Sequence, residues 1–396
     1  MKILVLAQVL PPRRGGSGRW IWELYRRLPG MDVTLVAGAC DGDRAFDGTT
    51  PVRINRLPLD FASWGLLSPA GSLQYARTFA RLRAMVSSDR PDQVHCAKAL
   101  PEGLLGFAMH QMCGVPYICY AHGEELRLAS TSRELRWLTH RVLRTASRVV
   151  ANSAFTRGIL LDEWRLPDDK VSVLHPGVDT THFVPASPDA QVRARLGWSG
   201  RRVVLTVGTM QKRKGQDMVI RALPAIREAC PEVLYVIAGP GLERAYLEAL
   251  AHEHGVVDAV QFLDDASEDD LLACYQQCDL FVLANRQIGW DVEGFGMVLV
   301  EAQACGKPVI AGRSGGTTDT LHENVTGLLI DADTSESVAQ AILPLLMNPQ
   351  RLAIMGAHAR QWAVDRCDWA PLVAQASQMF AGSDTAGVSE RSVQPA

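Results

Sequence analysis

The sequence predicts an α/β protein of two domains, each built on a parallel sheet with helices on both faces. The chain has 396 residues, which is long for one hydrophobic core and suits two. Apolar runs of strand length alternate with helical patterns through both halves. A linker with a short helix is predicted over residues 185–200, between the two series.

The first domain is expected over residues 1–185. We predict strands where short apolar runs occur, and helices where apolar residues recur at helical spacing. The predicted strands are 3–8, 33–37, 93–96, 117–120, 149–152 and 171–174, and the predicted helices include 18–28 and 73–86.

The second domain is expected over residues 186–362. A helical segment over 363–381 is expected to cross back to the first domain, and the polar tail 382–396 is expected to be disordered. The predicted strands are 203–207, 234–238, 260–262, 280–283, 308–311 and 327–330.

The composition is that of an ordinary globular protein, with 47% hydrophobic and 21% charged residues. No apolar run approaches the roughly 18 residues that span a membrane. The N-terminus resembles a buried strand rather than a signal peptide. The nine cysteines are scattered in mostly apolar contexts, so we expect reduced core residues in a cytoplasmic protein.

Charge is unevenly distributed along the chain. Residues 1–185 hold 23 Lys and Arg against 17 Asp and Glu, a net +6, and the remainder holds 17 against 26, a net −9. Such basic character fits either a solvated surface or an anionic partner, for example a membrane surface or a phosphate-bearing acceptor. Nucleic acid is not an expected partner, because no aromatic interleaving accompanies the arginines. Seven basic residues recur in one segment: Arg127, Arg133, Arg136, His140, Arg141, Arg144 and Arg148, of which Arg133, Arg136, His140 and Arg144 follow one helical face.

The most informative segment is residues 291–312. Glu293 and Glu301 lie eight positions apart around Gly294 and Gly296, which are expected to open a helix. One carboxylate in the loop and one inside the helix can reach two points of an elongated ligand, while free amides at the helix start suit sugar hydroxyls or a phosphate. The alternative is an ordinary helix with acidic residues near its first turn.

Three cations, Lys212, Arg213 and Lys214, follow the predicted strand 203–207. Ligands of open α/β sheets lie beyond the carboxyl ends of the strands, and a diphosphate needs positive charge there. His122 follows strand 117–120 in the same way, with Gly123 after it.

Two further motifs are weaker. The glycine-rich loop over residues 11–19 lacks the Gly-x-Gly-x-x-Gly spacing of a dinucleotide site, although it can still expose amides to an anion or be only a turn. Residues 264–270 resemble an acidic metal cluster, but Ser267 with Asp270 indicates a helix cap instead, so no metal site is predicted.

The segment from Glu293 through Glu301 to Ala311 resembles the E-x7-E motif of the retaining family 4 glycosyltransferases. Residues 213–217 and 291–294 are most similar to the mannosyltransferases that build phosphatidylinositol mannosides. This resemblance implies the GT-B fold, in which two Rossmann-like domains face each other across a deep cleft.

The resemblance also implies roles for individual residues. Glu301 should hold the ribose hydroxyls, Glu293 the 3- and 4-hydroxyls of the sugar, and Lys214 with Arg213 the departing diphosphate. Thr209 stands where the family usually has Arg, so Arg213 or Lys212 supplies the second cation, or diphosphate binding is weaker. The remaining implied contacts are His122 with the transferred sugar, Gly16, Thr209, Asp264, Gly294, Phe295, Gly296, Met297 and Val298 with the donor, and Arg19 and Glu124 with the acceptor.

The expected function is that of a retaining, metal-independent hexosyltransferase without a cofactor, at the inner face of a membrane or in the cytoplasm. GDP-mannose is the first expected donor, with UDP-glucose and UDP-N-acetylglucosamine as alternatives, and the acceptor is a hydroxyl compound. Two other functions stay open: a nucleotide-sugar epimerase or sugar phosphorylase of similar architecture, and a non-catalytic protein that binds sugar nucleotides.

Overall fold

The computed structural model describes residues 1–13 and 15–382, which divide into two compact units. The first comprises Met1–Pro176 and the segment that begins at Trp369, and the second comprises Gly177–Asp368. The sequence predicts boundaries after residues 185 and 362. The boundaries in the structure lie after residues 176 and 368 instead. Val178 pairs with Asp368 and donates its N–H to the Cys367 carbonyl, 2.8 Å away, so both segments belong to the second unit. The predicted tail, apart from Gly382, lies outside the described residues.

A seven-stranded sheet forms the centre of the first unit. Its strands are β1 (Lys2–Ala7), β2 (Asp32–Gly38), β3 (Arg53–Leu57), β4 (Gln93–Cys96), β5 (Tyr117–Ala121), β6 (Arg148–Ala151) and β7 (Val171–Val173). All neighbours are parallel, in the order β3-β2-β1-β4-β5-β6-β7. The sequence predicted all of them except β3, whose polar RINRL sequence suits an edge strand.

Helices of the first unit connect these parallel strands, as parallel pairing requires. Ser68 and Ser132 cap two of them, since their hydroxyls accept the N–H groups of Gly71 and Leu135. The helices are α1 (Gly16–Tyr25), α2 (Asp43–Asp47), α3 (Pro69–Asp89), α4 (Leu104–Cys113), α5 (Glu124–Ser130), α6 (Arg133–Thr145) and α7 (Ala154–Gly158).

The second unit is built on a six-stranded parallel sheet, and all six strands were predicted. They are β8 (Arg202–Val207), β9 (Val233–Ala238), β10 (Val260–Leu263), β11 (Leu280–Leu283), β12 (Val309–Gly312) and β13 (Gly327–Ile330), in the order β10-β9-β8-β11-β12-β13. Alternate residues pack into different cores: Val204 on one face, Val203 and Leu205 on the other. Burial on both faces explains the continuous apolar runs.

Eight further α-helices lie in the described part of the chain. They are α8 (Ala190–Arg195), α9 (Gln216–Ala229), α10 (Arg244–Glu253), α11 (Glu268–Gln277), α12 (Met297–Ala304), α13 (Ser335–Leu346), α14 (Pro349–Trp362) and α15 (Trp369–Ala381). The last belongs to the first unit, where the Phe380 ring stacks on Tyr25 with centroids 6.1 Å apart.

No helix in the described part of the chain combines the length and the apolar character needed to cross a bilayer. All nine cysteines are free, and seven of them are buried, as expected for core residues. Cys40 and Cys113 are only half-buried, so these two lie nearer the surface than the sequence predicted.

The turn after β8 passes against the end of β11 at one glycine. A Cβ on Gly215 would lie 1.7 Å from the Ala284 carbonyl oxygen, and the residue has a φ of +73°. Only glycine combines this backbone with so close an approach. The neighbouring strand ends β8 and β11 therefore hold their loops against each other.

We predict that Gly215→Ala destabilises the fold by about 3 kcal/mol or more, because a collision adds to the backbone strain. Gly200→Ala is the matched control: its φ is +70° and nothing lies within 4 Å of its added Cβ, so it should cost only about 1 kcal/mol. Urea denaturation of both variants measures the difference. Equal losses would show that the Ala284 contact imposes no constraint.

Candidate active site

Four charged side chains meet at the carboxyl edge of the second sheet. Arg213 and Lys214 lie on the turn after β8, and Asp291 and Glu293 lie in the loop after β11. Glu293 Oε2 accepts hydrogen bonds from Arg213 Nη1, at 2.5 Å, and from Lys214 Nζ. Asp291 Oδ1 lies 2.9 Å from Arg213 Nε. The two cations and two carboxylates form a compact group, which we call the four-charge cluster.

Backbone contacts fix the positions of this cluster. The Arg213 carbonyl accepts the Arg286 N–H at 2.9 Å, and the Arg286 guanidinium binds Asp217 through two bonds of 3.0 and 2.7 Å. The Glu293 carbonyl accepts the Gly316 N–H, also at 2.9 Å. Bidentate Arg–carboxylate pairs fix geometry as well as charge, so both loops are held rigidly.

The environment keeps Glu293 ionised. Burial leaves the residue 9% exposed and would raise its pKa, but the charges and hydrogen bonds of Lys214 and Arg213 outweigh burial and lower the pKa to about 2. For Asp291, burial is the largest influence, and together with repulsion from Glu293 it raises the pKa despite Arg213 and Lys214. With both acids ionised, the cluster has no net charge.

The two candidates for the second cation, Lys212 and Arg213, have different neighbours. Thr209 is exposed and carries no charge, and its carbonyl accepts a bond from Gln216. Lys212 points elsewhere, with its ammonium 5.9 Å from the centre of the Tyr246 ring. Arg213 is the residue that joins Lys214 on Glu293.

The second glutamate lies on α12, as predicted. Gly296, with a φ of +93°, precedes the first helical residue, and Glu301 is buried a little over one turn further on. Its Oε2 accepts the Tyr275 hydroxyl at 2.7 Å, a partner that the sequence did not indicate. Around the helix start, Phe295 is buried, while Gly294, Met297 and Val298 are half-buried.

Two aspartates of the acidic segment 264–270 form ion pairs with arginines of the same unit. Asp264 pairs with Arg244, and Ser267 accepts the Asp270 N–H at 3.1 Å, which is the predicted cap. Asp270 also pairs with Arg195. Across residues 1–13 and 15–382, no group of three or more His, Cys, Asp or Glu side chains is placed to hold a metal ion.

His122 is buried at the end of β5 in the first unit. Its Nε2 lies 2.7 Å from the Ala97 carbonyl oxygen, so this nitrogen carries the proton and donates it. Burial lowers its pKa, and Lys98 lowers it further, while Glu125 opposes the change. A neutral imidazole with the proton on Nε2 leaves Nδ1 as an acceptor for a hydroxyl.

The other predicted residues of the first unit surround the same strand ends. Glu124 is exposed at the start of α5, whereas the neighbouring Glu125 is buried and accepts the His122 N–H at 2.8 Å. The acceptor contact expected of Glu124 stays a prediction. Gly16 is exposed and Arg19 half-buried, both on α1.

The basic segment divides into two kinds of residue. Arg127 pairs with Glu163 at 3.4 Å, and Arg148 Nη1 donates to Ser172 at 2.7 Å, so these two serve internal contacts. The exposed residues of α6 are Arg133, Arg136, Trp137, Arg141 and Arg144. None of these arginines has a carboxylate partner among the described residues. His140 is half-buried; burial and then its arginine neighbours lower its pKa.

Comparison with known proteins shows the family of this chain. The family model "Glycosyltransferase Family 4" matches residues 14–182, and "Glycosyl transferases group 1" matches residues 189–362. The chain is 31% identical to the GDP-mannose-dependent alpha-(1-6)-phosphatidylinositol monomannoside mannosyltransferase of Mycolicibacterium smegmatis, over 96% of this chain and 98% of that protein. It is a family 4 glycosyltransferase.

Two other similarities extend the comparison. This glycosyltransferase is 32% identical to the D-inositol 3-phosphate glycosyltransferase of Salinispora arenicola, over 88% of this chain and 83% of that protein. Its fold matches the crystal structure of Anabaena HepE in complex with UDP with a TM-score of 0.80 and 22% identity, covering 96% and 100% of the two chains. The two parallel-sheet units are those of the GT-B fold, as the resemblance implied.

The depressed pKa of Glu293 predicts a pH dependence of stability. Because the folded pKa is about 2 against an ordinary 4.5, the carboxylate stabilises the fold above about pH 5, and this contribution, about 3 kcal/mol, is lost as pH falls towards 2. The difference in unfolding free energy between the wild type and Glu293→Gln should therefore shrink over that range in urea titrations. Glu323→Gln, which removes an exposed partner of Arg313, is the control. A difference independent of pH would contradict the assignment.

Proposed function

We propose that this glycosyltransferase transfers a hexose, with mannose from GDP-mannose as the first candidate, to a hydroxyl acceptor with retention of configuration and without a metal ion. The observation that carries the proposal is the four-charge cluster beside the start of α12. Its two cations suit a diphosphate, and its central carboxylate suits sugar hydroxyls. The GDP-mannose dependence of the mycobacterial relative favours that donor.

The chemistry assigns one task to each group. Arg213 and Lys214 neutralise the charge that develops on the leaving diphosphate as the bond from the anomeric carbon breaks. Glu293, with the amides of Gly294 to Gly296, holds the sugar hydroxyls, and Glu301 holds the ribose. The acceptor oxygen attacks the same face that the phosphate leaves, and its proton passes to the departing phosphate oxygen. His122 Nδ1 accepts a hydrogen bond from the transferred sugar.

Donor binding then requires an exchange of partners. In the structure, both cations bind Glu293. The phosphates of the donor then bind Arg213 and Lys214, and the sugar hydroxyls bind Glu293. No buried charge is left unpaired at the end of the exchange. Two acids of the segment 264–270, Asp264 and Asp270, have arginine partners.

A transfer assay tests the proposal. GDP-mannose and phosphatidylinositol monomannoside, incubated with the protein and EDTA, should give a new α-linked mannoside and GDP at the rate measured without EDTA. Lys214→Ala should lower the rate by about a hundredfold or more, because one leaving-group cation is lost. Activity that disappears with EDTA and returns with Mg²⁺ or Mn²⁺ would contradict metal independence. An epimerised sugar nucleotide, phosphorolysis, or binding without turnover would favour the alternative functions.

We further propose that the exposed face of α6 contacts an anionic membrane surface that presents a lipid-linked acceptor. Four exposed arginines without carboxylate partners in the described chain surround Trp137, which is 65% exposed. Arginine and tryptophan together suit the interface of a membrane. The lipid acceptor named for the mycobacterial relative supports this partner.

Charge reversal of Arg133, Arg136 and Arg144 should therefore weaken binding to phosphatidylglycerol vesicles by about a hundredfold or more at low salt, since each cation contributes about 1 kcal/mol. The loss should be far smaller at high salt, and GDP affinity should not change. Reversal of three exposed arginines of the second unit, Arg313, Arg351 and Arg366, is the control for net charge. If the wild type stays in the supernatant in a low-salt sedimentation assay, the face is a solvated surface.

A further inference from the structure

The loop after β11 contains a tight turn that the sequence did not indicate. Ile288 and Asp291 exchange two backbone hydrogen bonds of 3.0 Å, and Gly289 at the tip has a φ of +60°. The Gln287 side chain closes the turn further, because its Nε2 donates to the Gly289 carbonyl at 2.8 Å. The conformation of the tip is thus set by its own hydrogen bonds.

Both ends of this turn are attached to Arg213. On one side, Arg286 donates its N–H to the Arg213 carbonyl, and its guanidinium is held by Asp217. On the other side, Asp291 lies against the Arg213 guanidinium. The turn is therefore attached to the cation on both sides, which places the tip beside the four-charge cluster.

The tip presents two apolar side chains to solvent. Trp290 is 43% exposed and Ile288 is 38% exposed. Single exposed apolar residues are common and need no explanation. Here two exposed apolar side chains lie on one four-residue turn and add little to the hydrophobic core. The same turn carries Asp291, whose carboxylate contacts Arg213. They offer a rigid apolar surface at the edge of the site.

We propose that Trp290, with Ile288 beside it, packs against the ring of the acceptor and determines which acceptors are used. This assignment rests on the proposed function. The donor's phosphates and sugar hydroxyls already have partners in Arg213, Lys214 and Glu293. Same-face attack brings the acceptor hydroxyl to the phosphate that Arg213 holds, and Trp290 immediately precedes Asp291, whose carboxylate lies 2.9 Å from the Arg213 guanidinium.

The chemistry of the surface indicates the class of acceptor. An indole supplies a large planar apolar area at little conformational cost, with an N–H at its edge. A hexose or cyclitol ring has an apolar C–H face that matches such a plane and hydroxyls at its rim. We therefore infer an acceptor whose reacting hydroxyl belongs to a ring, rather than to a linear alcohol or a serine side chain.

Substitution of Trp290 tests this inference with GDP-mannose as donor and two acceptors, phosphatidylinositol monomannoside in detergent micelles and D-inositol 3-phosphate. Trp290→Ala should raise the acceptor KM by about ten- to a hundredfold for the acceptor that is used. The Kd for GDP by calorimetry should stay within about twofold. Trp290→Phe should recover most of the affinity, since it keeps a planar ring. Met347→Ala removes another exposed apolar side chain of the same unit and is the matched control.

Each alternative outcome has a separate meaning. If Trp290→Ala weakens GDP binding as much as acceptor binding, the tip belongs to the donor site and the inference is wrong. An acceptor KM no higher than that of Met347→Ala, with normal wild-type transfer, overturns the inference alone. A wild-type protein that binds GDP but transfers mannose to neither acceptor overturns the proposed function, and this assignment with it.

Discussion

The ion pairs that join Glu293 to Arg213 and Lys214 are the interaction on which the rest of the site depends. All three side chains are largely buried, and a buried charge is tolerated only when its partner is present. The turn after β8 and the loop after β11 must therefore approach each other closely. Gly215, packed against Ala284, permits this approach, and the Arg286–Asp217 pair maintains it.

The same requirement links structure to catalysis. A cluster with no net charge attracts a diphosphate only weakly until Glu293 has another partner. A nucleotide sugar supplies both replacements at once, since it carries an anion for the cations and hydroxyl donors for the carboxylate. Nucleotide alone supplies only the first. On the proposed function, a carboxylate and two cations occupy one site because the complete donor would satisfy all of them, whereas a product without the sugar would not.

Much of this fold could be predicted from local patterns in the sequence. Strands that are buried on both faces appear in the sequence as apolar runs. The strand that the sequence did not predict is β3, because its edge position leaves RINRL half-exposed. The Gly296 helix start and the Ser267 cap were visible for a similar reason, since each depends on residues within one turn.

Pairings between distant residues could not be predicted. Asp291 with Arg213, Arg286 with Asp217, and Tyr275 with Glu301 join residues on different elements. Contacts between distant elements leave no periodic pattern in the sequence from which they could be predicted. The basic segment 127–148 is less available to a partner than its composition indicates, for the same reason, since Arg127 and Arg148 have partners elsewhere in the first unit. The Trp290 turn was missed because its significance lies in its attachment to Arg213, not in its sequence.

The partner exchange is tested most directly by calorimetry of GDP and GDP-mannose binding to the wild type and to Glu293→Gln. We predict that GDP binds the variant about fivefold or more tightly than the wild type, because the amide releases Arg213 and Lys214 from a charged competitor. The preference for GDP-mannose over GDP should shrink in the same variant, since the sugar loses its carboxylate partner. GDP binding that is weaker in Glu293→Gln, with the preference for GDP-mannose unchanged, would contradict the exchange.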